Sequence, residues 1–336
     1  MNTQKLIWGA LTLLLLAALA LTACAQQATP VATETPIQIA FFGPAHNSYV
    51  AASYQGILDV ANKEGAEVTF FDTGFDPSVA YKQIQDAISR GKFDAFIILP
   101  LDPMILVPAV EQAIAAGIQV VNTDYPIGPD VNSNCPQIKG QAGTVLMTPN
   151  QRWENRAIQI PEVCKDLDPC NIGVLLTLAN QETDKAVIAG LEVLEQKYPN
   201  IHVVSIQPTG AWTAESAIPV TQNMLIAHPE INVIAVATSQ HVSGVMAVLN
   251  ATGRTDIRIM GNGATCPEFE YIRNGLMYST VIEAPYTEGK VAAEVAIQAV
   301  RGELTEPACK NSAEEAGAGP VFYWETLNTF ECQWDG

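Results

Sequence analysis

Short apolar runs alternate with amphipathic stretches along most of this chain. Residues 37–43 read as a strand, 49–63 as a helix with Ser48 at its start, and 67–72 as a second strand. A helix over 78–90 follows, with Tyr81, Ile84, Ala87 and Ile88 on one face at helical spacing. Residues 95–100 are uninterruptedly apolar, as a parallel strand covered on both faces requires. A helix over 104–116, closed by Gly117, leads to a strand over 119–124 that ends on Asp124 and Tyr125. Strands and helices alternating at this spacing predict a parallel sheet with right-handed crossovers.

The pattern then restarts. After an irregular stretch, 126–141, and a strand over 144–148, helices are predicted over 152–164, 183–197, 214–227 and 242–250. Strands fall between and after them at 171–177, 202–207, 233–238 and 257–261. A short helix over 268–274, a strand over 279–283 and a helix over 286–301 complete the run, and the tail 303–336 holds one strand candidate, 321–324. The fold class is α/β. About 300 residues from Ile37 onward are too many for one core and suit two domains.

The first residues carry a different signal. Lys5 precedes an apolar run over 6–21, which ends in Leu21-Thr22-Ala23-Cys24. The run is short for a spanning helix and right for a cleaved signal. The expectation is a lipoprotein signal peptide over 1–23, with Cys24 as the lipidated first mature residue, and an uncleaved anchor is the competing reading. Residues 24–36, rich in Ala, Gln, Thr and Pro, are expected to be a disordered tether. Either way the body lies outside the cytoplasm, held at the outer face of the membrane.

The formal net charge of −18 excludes nucleic acid as a partner, because its phosphates would repel the chain. Six cysteines besides Cys24 form an even set, which in an exported protein implies disulfides. Cys164–Cys170 would close a short turn, Cys309–Cys332 would staple the C-terminal segment, and Cys135–Cys266 follows by elimination. The rival reading, a metal site, lacks a CxxC pair and histidines at ligand spacing.

Several local patterns resemble one family. They are His46-Asn47-Ser48-Tyr49 after the first strand, Ile97-Ile98-Leu99-Pro100, and Gly117-Ile118-Gln119-Val120-Val121-Asn122-Thr123-Asp124. Downstream come Ala227-His228-Pro229-Glu230-Ile231, Ile259-Met260-Gly261-Asn262-Gly263, and Ser279-Thr280-Val281-Ile282-Glu283-Ala284-Pro285. In order and spacing these resemble the ribose-type, periplasmic-binding-protein-like sugar receptors of bacterial ABC importers, over residues 37 to about 302. The resemblance implies two Rossmann-like lobes joined by a three-strand hinge, 37–147 with 284–319 and 148–283 with 320–336. It implies a monosaccharide in the cleft, delivery to an ABC transporter permease, and no cofactor.

Asp124 is the leading candidate contact. An acid beyond the carboxyl end of a parallel strand lies where open α/β sheets bind ligands, and a carboxylate accepts charge-assisted bonds from vicinal hydroxyls; a strand-end cap is the alternative. By position in the family, Asn47 offers an amide, Tyr49 and Trp212 offer aromatic surface, and Glu283 sits at the hinge. The competing readings are helix packing for Tyr49 and an exposed crossover charge for Glu283. Four positions depart from the ribose-type pattern. Tyr125 stands where an arginine follows the cleft acid, Lys185 only approximately matches a second-lobe arginine, Thr238 replaces a strand-end asparagine, and Asn262 replaces an acid. These exchanges leave the sugar open and keep a non-sugar ligand (autoinducer, nucleoside or purine), or service to a membrane sensor, as the alternative.

Enzyme readings are weaker. Gly261-Asn262-Gly263 lacks the third glycine of a dinucleotide loop, since Cys266 stands there. There is neither a G-x-S-x-G elbow nor an H-E-x-x-H motif, and the cleft candidates are acids and aromatics suited to binding. The repressors that share this fold need a DNA-binding helix pair where this chain has its apolar leader.

Overall fold

The computed structural model describes residues 35–178 and 182–336. The apolar leader, Cys24 and nearly all of the tether lie outside the described residues. Residues 37–336 cluster as one compact unit, built on two six-stranded sheets.

The first sheet is formed by β1 (Gln38–Gly43), β2 (Glu67–Asp72), β3 (Ala95–Ile98), β4 (Gln119–Thr123), β5 (Gly143–Val145) and β11 (Ala308–Lys310). Its order is β11-β5-β4-β3-β1-β2, parallel throughout. The second sheet contains β6 (Cys170–Leu176), β7 (Ile201–Pro208), β8 (Val233–Val236), β9 (Arg258–Gly263), β10 (Ser279–Ile282) and β12 (Val321–Phe322). Its order is β12-β10-β9-β8-β6-β7, with only the edge strand β12 antiparallel. The two sheets therefore share one winding, with strand order reversing beside β1 in the first and beside β6 in the second.

The helices follow the apolar periodicity. They are α1 (Ser48–Glu64), α2 (Pro77–Arg90), α3 (Val107–Ala115), α4 (Pro149–Cys164), α5 (Glu182–Lys197), α6 (Ala214–Ala227), α7 (Gln240–Thr252), α8 (Cys266–Arg273), α9 (Pro285–Val300) and the short α10 (Ser312–Glu315). Helix α4 starts three residues before its predicted position. Thr148 caps it, its hydroxyl accepting from the Gln151 N–H while the Gln151 side chain accepts from Thr148 N–H. Helix α3 starts three residues late, because Asp102 Oδ1 accepts from the N–H groups of both Met104 and Ile105 and holds a turn there.

Three connections pass between first-sheet and second-sheet elements: β5 to α4, β10 to α9, and β11 to β12. Helix α9 follows a second-sheet strand yet packs on α1, β3, β4 and β5. It meets α1 backbone to backbone. A Cβ on Gly289 would lie 1.9 Å from Ser53 O, and one on Gly56 would lie 2.1 Å from Tyr286 O. Tyr286 to Asp59 (2.8 Å) and Arg301 to Glu64 (2.8 Å) fix the same helix pair further along.

The cysteine pairing corrects part of the expectation. Cys164–Cys170 forms, with Cα atoms 5.6 Å apart. The other bridges are Cys135–Cys309 and Cys266–Cys332, not Cys309–Cys332 and Cys135–Cys266. The cause is β11, which the sequence pattern does not reveal. It aligns Cys309 with Thr144 on the first sheet, beside the 126–141 loop that carries Cys135. Cys332 lies beyond β12, in the tail of the second sheet.

Because α1 and α9 touch without intervening side chains, a single methyl group is enough to part them. We expect Gly289→Ala to destabilise the protein by about 1–3 kcal/mol or more, seen in urea as a lower midpoint at unchanged slope. An unchanged midpoint would contradict this packing.

Candidate functional site

The carboxyl ends of the two sheets face a common cavity. Pro44 follows β1, Leu99 follows β3, Asp124 follows β4, Thr177 follows β6, Ala237 and Thr238 follow β8, and Asn262 lies near the end of β9, all as lining residues. Open parallel sheets bind ligands at such a place, where strand order reverses, and here two of them share it. The cavity volume is about 120 Å³. With roughly 10–15 Å³ needed per water, it suits a molecule of about ten non-hydrogen atoms.

Asp124 is presented by an unusual backbone. Its φ is +64°, and the N–H of Tyr125 donates to Thr123 O at 2.7 Å, closing a three-residue turn. Asp tolerates the left-handed region better than most residues. Asn122 Nδ2 braces the turn through Tyr125 O, and Gln141 Nε2 holds Asn122 Oδ1 at 2.6 Å.

Arg152 dominates the electrostatics. In the first turn of α4, its Nη2 lies 2.6 Å from Asp124 Oδ1 and its Nη1 lies 2.9 Å from Glu283 Oε1. Nε donates to Met147 O at 3.2 Å. Burial works against its charge, but Glu283 and Asp124 overcome that and hold the guanidinium firmly protonated. Glu283 occupies the β10-to-α9 connection and is 3% exposed. Burial pushes its carboxyl up to about 7, Arg152 pulls it back and Asp124 pushes it further up. Its Oε2 meets no hydrogen-bond partner among the described residues. One helical turn after Arg152, Arg156 is buried, bonded to Val236 O at 2.5 Å, and lowered to about 10 by burial.

The aromatic candidates form walls. Trp212 stacks on Phe75 with ring centroids 5.5 Å apart and 12° between planes. Phe75, at φ +59° and 38% exposed, stands at the rim. The Tyr125 hydroxyl meets Thr183 Oγ1 at 2.8 Å, and burial pushes its phenol up. The Tyr49 hydroxyl donates to buried Glu288 at 3.1 Å. Burial raises the Tyr49 phenol and, more than any neighbouring charge, the Glu288 carboxyl. Phe75–Trp212, Tyr125–Thr183, Arg152–Asp124 and Gln240–Ser48 (3.3 Å) all join first-sheet loops or the start of α1 to second-sheet helices or loops.

Of the nine predicted contacts, eight line the cavity: Asn47, Tyr49, Asp124, Tyr125, Trp212, Thr238, Asn262 and Glu283. Asn47 spends its Oδ1 capping α1, through Val50 N–H at 3.2 Å, which leaves its NH₂ group to reach a ligand. Asn262 spends its Nδ2 on Ala237 O at 2.5 Å, which leaves its carbonyl oxygen. Lys185 does not take part. It is exposed and paired with Glu182 at 2.7 Å, while its helix turns Asp184 and Val187 inward. Asp184 accepts from the Thr177 hydroxyl (2.9 Å) and from Leu178 N–H (3.1 Å).

Sequence reasoning missed Arg152, Arg156, Asp184 and Trp334. The arginine pair had a signal: four residues apart on a helix, they share one face. The Thr148 capping box would have placed Arg152 in the first turn of that helix. Trp334 had none, since it sits in a tail without periodicity.

The family model described as "Periplasmic binding protein domain" matches residues 39–304. The chain is 23% identical over 268 residues to the ribose import binding protein RbsB of Bacillus subtilis, covering 78% of this chain and 80% of that protein. It is 25% identical over 236 residues to the D-ribose/D-allose-binding protein of Pseudomonas aeruginosa, covering 69% and 70%. Among solved structures, an ABC transporter periplasmic solute binding protein from Actinobacillus succinogenes with bound D-allose superposes with a TM-score of 0.75 at 21% identity, covering 88% of this chain and 100% of that one. A solute binding protein from Bacillus halodurans with bound myo-inositol gives 0.74 at 19% identity, covering 87% and 96%. The structural likeness establishes the fold, and the two named relatives are binding proteins, not enzymes.

The raised Glu283 carboxyl has a pH consequence. From its ordinary 4.5 to about 7 the unfolded chain ionises this group first. Its contribution to stability is therefore intact below about 4.5 and lost as pH rises to about 7. Glu283→Gln, which cannot ionise, should lose less stability than the wild type across that window in urea unfolding. Parallel pH curves for the two proteins would contradict the burial argument.

Proposed function

Because the chain belongs to the periplasmic binding protein domain family, we propose that it is an extracytoplasmic receptor that captures a monosaccharide in this cavity and delivers it to an ABC transporter permease. One observation carries the reading. A cavity lies between the carboxyl ends of two like-wound sheets, lined by fixed charges and by aromatic residues. Charges held by one another, as Arg152 holds Asp124 and Glu283, can exchange hydrogen bonds with neutral hydroxyls without a net change in charge. Aromatic rings complement the C–H faces of a sugar ring. The D-allose and myo-inositol bound in the two superposed structures favour the same class.

In this reading the lobes are 37–147 with 284–319 and 148–283 with 320–336. The three connections act as a hinge, and the described conformation is the closed one. Ligand docks on one lobe and the other adds its contacts, so binding selects the closed state. The apolar leader and Cys24 would give a lipid-anchored protein on the outer membrane face, with residues 24–36 as tether. The ligand contacts proposed are Asn47, Tyr49, Asp124, Tyr125, Trp212, Thr238, Asn262 and Glu283, with Arg152 and Arg156 added from the geometry.

A thermal-shift panel of pentoses, hexoses, polyols, nucleosides and amino acids tests the reading. A ligand at 100 times its Kd should add about 2.7 kcal/mol of stability. We expect a shift with one or a few cyclic sugars or polyols, abolished by Asp124→Ala. A shift with nucleosides or amino acids alone would keep the fold and overturn the sugar assignment.

A further inference from the structure

The tail beyond β12 returns to the cavity. After a short 3₁₀ turn, Leu327–Thr329, it is fastened by Cys266–Cys332 to the start of α8, with Cα atoms 5.1 Å apart. The N–H of Cys266 donates to Trp334 O at 2.9 Å, and Trp334 Nε1–H donates to Gly263 O at 2.8 Å. Between them, Gln333 accepts from Thr287 N–H (3.1 Å) and donates to Thr287 Oγ1 (2.7 Å). The tail thus ties the end of β9 to α9, the helix that packs on the first sheet. Trp334 is 5% exposed, lines the cavity, and lies edge-on to Tyr49 with centroids 5.5 Å apart and 84° between planes. The family match ends at residue 304, so this wall of the cavity is made by residues the family model does not include.

We propose that Trp334 is a ligand-contacting, specificity-determining residue and that the Cys266–Cys332 bridge is the clamp that positions it. This rests on the sugar reading of the cavity. The chemistry follows from where the indole is tied. Its single N–H is spent on Gly263 O, and indole nitrogen has no acceptor capacity. Trp334 therefore offers a ligand apolar and π surface and no hydrogen bond. It reads the ring outline and C–H face of a cyclic ligand, while Asp124, Asn262 and the arginines read hydroxyls. Such a wall discriminates by shape, favouring cyclic ligands that fill it. Without the bridge, four hydrogen bonds remain to hold Gln333 and Trp334, and the ring loses its fixed position.

The test uses calorimetry with D-ribose, D-allose, D-arabinose and myo-inositol on four proteins: wild type, Trp334→Ala, Trp334→Phe, and the double variant Cys266→Ser/Cys332→Ser. Thermal melting establishes that each is folded, and tryptophan emission is followed during each titration. For whichever ligand the wild type binds, we expect Trp334→Ala to weaken binding roughly tenfold or more and Trp334→Phe to restore most of it. The serine pair should flatten the ranking of the four ligands. The ligand-induced change in emission should shrink in Trp334→Phe, which a merely structural role would not require. Unchanged affinity and ranking in folded Trp334→Ala would overturn the proposal while leaving the sugar reading intact. A wild type that binds none of the four would overturn the sugar reading for this panel, and this proposal with it. If the serine pair fails to fold, the two Trp334 variants decide alone.

Discussion

Arg152 lies between two carboxylates that belong to different parts of the chain, Asp124 at the end of β4 and Glu283 in the β10-to-α9 connection. All three groups are largely withdrawn from water. A buried ion cluster repays its desolvation only when geometry is good and each charge is matched. Without the guanidinium, two acids would face each other across the base of the cavity. The cluster sits where the chain passes from first-sheet to second-sheet elements, so the same charges that shape the cavity also hold its two sides together.

Winding explains why the site is there at all. Each sheet reverses its strand order beside its first strand, opening a crevice at its carboxyl edge. Two such crevices meet, and the strand-end residues of both become one lining. The chain adds closure devices from loops rather than from the sheets. Phe75 and Trp212 stack at the rim, and Tyr125 reaches Thr183. Of the three non-glycine residues at positive φ among the described residues, Phe75 and Asp124 line the cavity, and Ala264 follows β9. Strained residues of this kind gather where a side chain must be aimed.

The periodic part of the chain was legible. Apolar runs at β1, β3 and β4 are buried on both faces and cannot be solvated strands, and the acid that ends β4 marked the cavity. What was not legible depends on contacts between distant segments. β11 has three residues and no alternation, so the partner of Cys309 could not be read and the bridges Cys135–Cys309 and Cys266–Cys332 went unrecognised. Lys185 matches the charge of a family position only approximately, and charge type does not show that the helix turns Asp184 inward and Lys185 outward. Arg152 stands within a helix and not at a strand end, so its place in the cavity depends on where α4 begins and on contacts the pattern does not show. Trp334 is brought to the cavity by a bridge and four hydrogen bonds, none of which leaves a periodic trace.

The most direct test of the central claim is a crystal structure of the protein grown with a sugar that raises its melting temperature. The account predicts the sugar inside the cavity between Asp124 and Asn262, beside Trp212, with hydroxyls within about 3 Å of the Arg152–Asp124–Glu283 cluster. A sugar bound elsewhere on the molecule, or in the cavity without touching that cluster, would contradict it.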